Sequence, residues 1–587
     1  MKRFISIILA VILVVGLAAG CGSKNDATAN GSVASEAPTV DDSIISSADV
    51  AYLDSNSESV YRIVRPENPE MDETTGAGIL FKQMKNKLGV SVRNVADSED
   101  GTDVYEILLG NTNRTESQQA LDYMKSVSGG RYNDYIICTI GKKIVINALN
   151  ADSLNTATNY FVENYVKQEG VAGGIIYVYK TEGNFDEVTV NGTRIGKFCF
   201  VRPHFNSSYL TQVEMEKIVD SVYQKTGYML SIKHDEYVAE TTYEIVVGNT
   251  NRAGVKPVTN YDEYDITVSG TKVYLNGGSP HATAMAVSEF AKMLNTGAVT
   301  DASTTSGSYE SAMANYDRST TYYPTWYDTF DGNEIDTTKW HIMNAPEFSR
   351  AGQNGKWSAM SNDPNFVFQR DGKFYIYGRE EPDAYYGGTI SNQTTMAFHY
   401  GYVEKSAICP DGPGFWSLLW FCGTGDGTNV LASPEIDLNE CFGEGKVTHA
   451  ICHAWPTAYG KSLGYEHTSL DGTKYGNAKK YHCPDGKKLN DDFHSYGMIW
   501  DDKHMGFTCD GIEYFSYDTT TNDYARECFN RHMTLIFSMA TGFATSADSK
   551  ISTDPDEWQN SNKLIADYIN LYQCRDGYSS LMTGVYK

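Results

Sequence analysis

Ten residues recur almost unchanged in the first half of the chain. Tyr105-Glu-Ile-Leu-Leu-Gly-Asn-Thr-Asn-Arg114 returns as Tyr243-Glu-Ile-Val-Val-Gly-Asn-Thr-Asn-Arg252. A second match follows each copy: residues 134–147 align with 263–276, an alternating strand, a Gly-containing turn and another strand. Stretches of helical character flank the matches, at 76–88 and 152–166 in the first copy and at 211–226 and 281–294 in the second. Self-similarity at this spacing means one supersecondary unit used twice. The unit reads strand, helix, strand, hairpin, helix, an α+β sandwich with its helices on one face. The copies are assigned to 49–182 and 183–296. Asn and Gly favour left-handed conformations, so the Asn-Thr-Asn-Arg loop is read as a structural turn in preference to a binding loop.

The tryptophans divide the chain. All eight (Trp326, Trp340, Trp357, Trp416, Trp420, Trp455, Trp500 and Trp558) follow residue 322. The Thr-, Ser-, Ala- and Gly-dense stretch before that boundary, 297–322, reads as a linker. From 323 to 587, short alternating segments separated by Gly, Asp and Asn turns point to an all-β sandwich or jelly roll. The first twenty residues read as an export signal: Lys2 and Arg3, an apolar run at 5–17, then Ala18-Ala19-Gly20-Cys21. Polar residues 21–48 read as a flexible tether. The expected architecture is therefore multidomain, two tandem α+β sandwich domains followed by a β-jelly-roll domain.

A formal net charge of −26 disfavours nucleic acid and anionic lipid as partners, whereas a neutral polysaccharide carries no such penalty. Beyond Cys21, Cys138 and Cys199 lie in the first half and eight more cysteines in the second. Their spacing resembles neither a compact disulfide framework nor a zinc ribbon, so buried free thiols are expected.

One segment carries the chemistry: Ser433-Pro-Glu435-Ile-Asp437-Leu-Asn-Glu440. On a regular strand Glu435 and Asp437 share a face while Glu440 points away. A β-bulge, one extra residue, restores Glu440 to the same side. Two carboxyl groups roughly 5–5.5 Å apart suit glycoside hydrolysis with retention, one attacking the anomeric carbon and the other protonating the leaving oxygen. Asp437 is expected to hydrogen-bond one glutamate and hold the pair's pKa values apart. In a chain with 74 acidic residues the spacing alone is weak, and an acidic edge strand or a calcium site is the competing reading.

Context favours the first. Asp328-Thr-Phe330-Asp331-Gly332 with Trp340, the strand Tyr400-Gly401-Tyr402-Val403-Glu404, and Gly414-Phe-Trp416-Ser-Leu-Leu-Trp420 precede the carboxylates. Phe493-His494-Ser-Tyr496 to Trp500, then Asp510-Gly511, and finally Asp567-Tyr568-Ile-Asn-Leu-Tyr572-Gln573 follow them. In this order they resemble glycoside hydrolase family 16, the laminarinase, lichenase and agarase group, over the C-terminal half. The resemblance implies a concanavalin-like jelly roll in which Glu435 is the nucleophile, Glu440 the general acid/base and Asp437 the orienting carboxylate. It also implies substrate contacts from Trp420, Trp416 and His453; Trp455, two residues beyond His453, shares its face if the strand is regular.

Ser417, Tyr402, Ser406 and Cys441 depart from the family pattern, at places expected near the donor and acceptor subsites. The implied activity is endo-hydrolysis of an extracellular polysaccharide, β-1,3- or mixed-linkage glucan first and β-galactan second. A transglycosylase and a non-catalytic glycan-binding lipoprotein are the alternatives. The N-terminal units resemble the small non-catalytic α+β domain that precedes the catalytic domain of α-glucuronidases and β-hexosaminidases. Residues 18–21 resemble a bacterial lipobox with Cys21 as the lipidated residue, although Ala18 stands where Leu is preferred. A monomer on the outer face of the membrane, held only by its lipid, is expected. No organic cofactor or catalytic metal is implied; a structural calcium on the sandwich is compatible with the sequence.

Overall fold

The computed structural model describes residues 58–583, apart from 68–70, 168–169, 172–173, 319–320, 345–348, 353–354, 413, 424–431, 444, 458–460, 463–467, 470–478, 543–561 and 575–579. The export signal, Cys21 and the tether lie outside the described residues, as does Trp558. No described helix is long and apolar enough to cross a membrane. The chain divides into two compact units, one built on the first repeat and one running from Val178 onward, with the short segments Ser128–Tyr135 and Ala148–Ala157 assigned to the latter.

The first repeat contains β1 (Glu58–Arg65), α1 (Met71–Leu88), β2 (Ser91–Ala96), β3 (Glu106–Leu109), α2 (Thr115–Ser128), β4 (Tyr135–Ile140), β5 (Lys143–Ala148), α3 (Ala151–Tyr165) and β6 (Ile176–Tyr179). Its sheet runs β2-β1-β3-β5-β4-β6. The repeated motif owes its composition to a buried ion cluster. Glu106, fully buried, accepts from Arg62 Nε (3.0 Å), Arg114 Nε (3.1 Å) and Lys143 Nζ (2.8 Å). Burial works to raise the Glu106 carboxyl, but the hydrogen bonds from Arg114, Lys143 and Arg62 outweigh it and hold it below the usual range. The motif glycine, Gly110, has φ 75°, where a side chain would be strained. Glu106 and Arg114 of the motif therefore hold each other at the turn, while its first asparagine, Asn111, is exposed. Helix α2 was not expected from the repeat and follows the loop in this copy alone.

The second repeat comprises β7 (Cys199–Arg202), α4 (Tyr209–Thr226), β8 (Ile232–His234), β9 (Glu244–Val247), β10 (Glu263–Ser269), β11 (Lys272–Gly277) and α5 (Pro280–Leu294). Ser208 caps α4 and Ser279 caps α5, with Pro280 opening the latter; Gly227 ends α4 in the left-handed conformation. Glu244 repeats the role of Glu106, accepting from Arg252 Nε (3.2 Å) and Lys272 Nζ (2.7 Å).

The stretch expected to be a linker is largely part of this fold. Thr305–Ser308 forms β12 and pairs with β10, giving the sheet order β8-β7-β9-β11-β10-β12. The helical turn Tyr309–Met313 places Tyr309 and Met313 in the module's core. Small polar residues pair through their backbone as readily as they form tethers, so composition misled; Tyr309 and Met313 were the legible anchors.

The sandwich contains β13 (Tyr323–Asp328), β14 (Val367–Arg370), β15 (Lys373–Tyr377), β16 (Ala384–Ser391), β17 (Gly401–Ile408), β18 (Phe415–Gly423), β19 (Ala432–Cys441), β20 (Val447–Pro456), β21 (His494–Trp500), β22 (His504–Cys509), β23 (Ile512–Asp518), β24 (Met533–Thr541) and β25 (Lys563–Gln573). One sheet runs β14-β15-β25-β17-β21-β22-β23, with β13 paired to β25; the other has β16-β24-β18-β19-β20 at its centre. Phe374, Val403, Leu419, Phe421, Ile436, Phe537 and Ile569 fill the space between them. The second α+β module packs on the outer face of the first sheet. Leu210 and Ala284 meet Tyr402, Ile499 and Tyr572, and the Ser208 hydroxyl donates to Glu404 at 2.9 Å. All ten described cysteines are free thiols.

Candidate active site

Strand β19 lies between β18 and β20, and its register slips once on each side. Against β18, Glu440 faces Leu418 and Asn439 faces Leu419, but Trp420 faces Asp437, so Leu438 is the extra residue. Against β20, Asp437 faces Ile451 and Glu440 faces His449, three residues opposing two. Ile436, Leu438 and Cys441 join the core, as do Phe415, Leu419 and Phe421 of β18 and Cys452 and Ala454 of β20. The outward face is left with Glu435, Asp437 and Glu440, flanked by Trp416 and Trp420 on one side and His449, His453 and Trp455 on the other. Asn439 holds the bulge from within: its Nδ2 donates to Thr448 Oγ1 at 3.1 Å and lies 3.3 Å from Cys441 Sγ.

Each carboxyl group has a distinct setting. Glu435 is half-buried and accepts from Trp455 Nε1 at 2.9 Å. Glu440 is buried and accepts from Trp416 Nε1 at 3.0 Å. Burial, then the charge on Asp437, pushes the Glu440 carboxyl well above its ordinary range, with the Trp416 hydrogen bond opposing them. Burial and then the Glu435 charge push Asp437 up as well.

The expected hydrogen bond from Asp437 to a glutamate is not formed. Its Oδ2 lies 3.4 Å from His453 Nε2 and its Oδ1 has no hydrogen-bond partner among the described residues. Alternation puts His453 opposite Glu435 on the neighbouring strand, within reach of Asp437. Polar atoms of Glu435, Asp437 and His453 all lie within 4.8 Å of one another, a donor set that a cation could share only by occupying Glu435.

The four predicted contact residues share this face. Trp416 stacks on Phe442 (5.7 Å between ring centres) and Trp455 on His453 (5.4 Å). Trp420 Nε1 donates to Ser538 Oγ at 3.3 Å. Phe442, His449, Ser538 and Asn439 were missed: Asn439 fills an unassigned place within the carboxylate segment and Phe442 follows it, while only the register brings His449 and Ser538 here. The family departures fall elsewhere than expected. Ser417 and Cys441 point into the sandwich by strand parity, and Tyr402 faces the second α+β module from the opposite sheet.

Residues 355–561 match the family model described as glycosyl hydrolases family 16. Glucan endo-1,3-beta-glucosidase A1 of Niallia circulans is 24% identical over 241 residues, 37% of this chain and 33% of that protein. Endo-1,3-1,4-beta-glycanase EglC of Rhizobium meliloti (strain 1021) is 25% identical over 138 residues, 24% of this chain and 25% of that protein. This chain thus spans a third or less of the length of these relatives. Among solved structures, the catalytic domain of an endo-1,3-beta-glucanase (laminarinase) from Thermotoga petrophila RKU-1 is 18% identical with a TM-score of 0.34, covering 43% of this chain and 99% of that one. By the family match, the chain carries a glycosyl hydrolases family 16 domain over residues 355–561, and β19 with its three carboxyl groups lies inside it.

Proposed function

We propose that this protein is a retaining endo-β-glycosidase acting on β-1,3- or mixed-linkage β-glucan. The observation that carries the reading is the bulge at Leu438, which turns Glu440 to the face of Glu435. In the proposed reaction a Glu435 oxygen attacks the anomeric carbon while Glu440 gives its proton to the departing glycosidic oxygen. The bond to the leaving sugar breaks and a glycosyl ester on Glu435 forms. Glu440, now a carboxylate, takes a proton from water; the hydroxide so generated attacks the anomeric carbon and releases Glu435, restoring the proton to Glu440. A buried acid with a raised pKa suits the first step because it stays protonated near neutral pH. The names of the two curated relatives support glucan over galactan.

The lipobox-like start supports a position on the outer face of the cell membrane, tethered through Cys21. Incubation with laminarin, lichenan, agarose and galactan, read as reducing ends, tests the substrate. Glu435→Gln should lower release by roughly a thousandfold or more. Undiminished cleavage by that variant would refute the nucleophile, and an α-anomer as the first product would refute retention. Metabolic labelling with a radioactive fatty acid, lost in Cys21→Ala, tests the anchor.

A further inference from the structure

A cavity of about 370 Å³ lies on the opposite side of the sandwich from the carboxyl groups, between the second α+β module and the first sheet at Asp567 and Tyr568 of β25. Its position follows from topology. Strands β7, β9 and β11 are parallel. The chain leaving β7 passes through α4 to β8 on one side, whereas the chain leaving β9 turns to β10 and β11 on the other. The crevice between the carboxyl ends of β7 and β9 is thus a topological switch point, where open α/β sheets bind their ligands. Residues following both strands, Ser207 and Asn249, line the cavity.

The lining defines the chemistry. Neutral polar residues, Ser207, Thr211, Asn249, Thr259, Asn276 and Thr283, predominate. Ser207, Thr283 and Asn276 already donate to the carbonyls of Pro203, Ser279 and Lys256, so Thr211, Asn249 and Thr259 are the groups offered to a ligand. Arg202 is the one cation among the lining residues; its Nη1 donates to the Asp510 carbonyl at 2.9 Å and its Nη2 lies 3.5 Å from His234, while its buried Nε has no partner among the described residues. Two carboxylates, Asp331 and Asp567, also border the space; Asp567 is paired with Lys373 at 2.6 Å, and the Asp331 charge disfavours an anion. The hydroxyls of Tyr261 and Tyr568 bond to Asn570 and Glu404, so both residues enter the lining as aromatic rings whose hydroxyls are already used. Donors and acceptors of neutral type beside aromatic carbon match a sugar, whose hydroxyls and C–H faces need both. We infer that this cavity binds a neutral mono- or disaccharide, as a second site separate from the cleft. The choice of a saccharide over other polyols rests on the reading of the chain as a glycan-acting enzyme.

The full chain carrying Glu435→Gln is titrated with glucose, galactose, laminaribiose and galactobiose by calorimetry and saturation-transfer NMR. Thr259 is exposed at the cavity, so Thr259→Trp obstructs it without entering the core. The expected result is binding of at least one probe that weakens tenfold or more in Thr259→Trp and changes less than twofold in Trp420→Ala. Asn249→Leu, which removes a lining carboxamide, should weaken it in the same direction. With Glu435 intact, Thr259→Trp should melt and hydrolyse laminarin as the parent does. Sugar binding indifferent to both Thr259 and Asn249, absence of any binding outside the cleft, or capture of inorganic phosphate in place of the sugars would each overturn the inference. Thr259-dependent sugar binding in a parent that cleaves no glycan would instead support the cavity and sink the hydrolase reading.

Discussion

The indole Nε1 of Trp416 donates to Glu440 Oε1 at 3.0 Å, so the tryptophan that flanks the cleft also tunes the buried carboxyl group. A hydrogen bond to a carboxylate favours the charged form, and here it opposes burial and the Asp437 charge. Trp416→Phe keeps the ring and deletes the donor. The Glu440 pKa then rises further, and the basic limb of the kcat/KM profile moves to higher pH, by roughly half to one unit for one hydrogen bond. A basic limb that stays in place or moves down would show that Glu440 does not govern it.

Glu404 offers a second titration, on the opposite sheet. It is fully buried against the second α+β module and accepts from the Ser208 hydroxyl, Tyr568 and Tyr402. Burial lifts its carboxyl to about 6, and those hydrogen bonds limit the rise. The folded pKa thus exceeds the ordinary value of 4.5, and the folded state binds the proton more tightly. The associated stability is present below 4.5 and is lost as pH rises through 6, by about 2 kcal/mol. Denaturant titrations from pH 4 to 7 should show this decline in the parent and its absence in Glu404→Gln. An equal slope in both proteins would assign it to other groups.

How much of this was legible in the sequence depended on what each residue had to say locally. The pairing of Glu435 with Glu440 was readable because strand parity forces a bulge if both are to share a face, and the register slips at Leu438 accordingly. The hairpins of the repeats were readable from alternation alone. Asp437 was misread because its partner, His453, comes from a neighbouring strand whose register no spacing reveals. Tyr402 was placed near the subsites for the same reason: a motif fixes a strand and leaves open which sheet of the sandwich receives it. Thr305–Ser308 looked like a tether because Ser, Thr and Gly carry no period, yet its backbone completes a sheet.

Asp328 and Trp340 belong to the opening motif of the sandwich, and their contact accounts for it. Trp340 Nε1 donates to Asp328 Oδ2 at 2.6 Å, and Asp328 Oδ1 accepts from the Phe330 backbone at 3.1 Å. Phe330 has φ 52°, a left-handed position that the aspartate's hydrogen bond helps to hold. Asp328→Ala leaves the buried indole N–H without its acceptor and should cost roughly 1–3 kcal/mol. Thermal unfolding should show the loss, while kcat on laminarin at 25 °C stays near the parent value. A variant as stable as the parent would mean that water replaces the carboxylate.

Asn439 separates the bulge from the stability of the strand that carries it. Its Nδ2 donates to Thr448 Oγ1 at 3.1 Å, while its Oδ1 is buried without a partner among the described residues. The Thr448 hydroxyl still donates to the Glu440 carbonyl at 3.4 Å when the amide donor is removed. Asn439→Leu deletes the bond to Thr448, the weaker amide–sulfur contacts to Cys441 (3.3 Å) and Cys409 (3.7 Å) and one unsatisfied oxygen at similar volume, so its net effect on stability should be within about 1–2 kcal/mol. The anchor beside Glu440 is lost all the same, and a displacement of a fraction of an ångström at an acid is felt in the rate. The expected outcome is a kcat lowered roughly tenfold, with KM changed less than twofold because the tryptophans proposed to meet the sugar are untouched. A purely structural role would instead lower the melting temperature and leave kcat per folded molecule unchanged. If neither moves, strand pairing with β18 and β20 is enough to hold the kink.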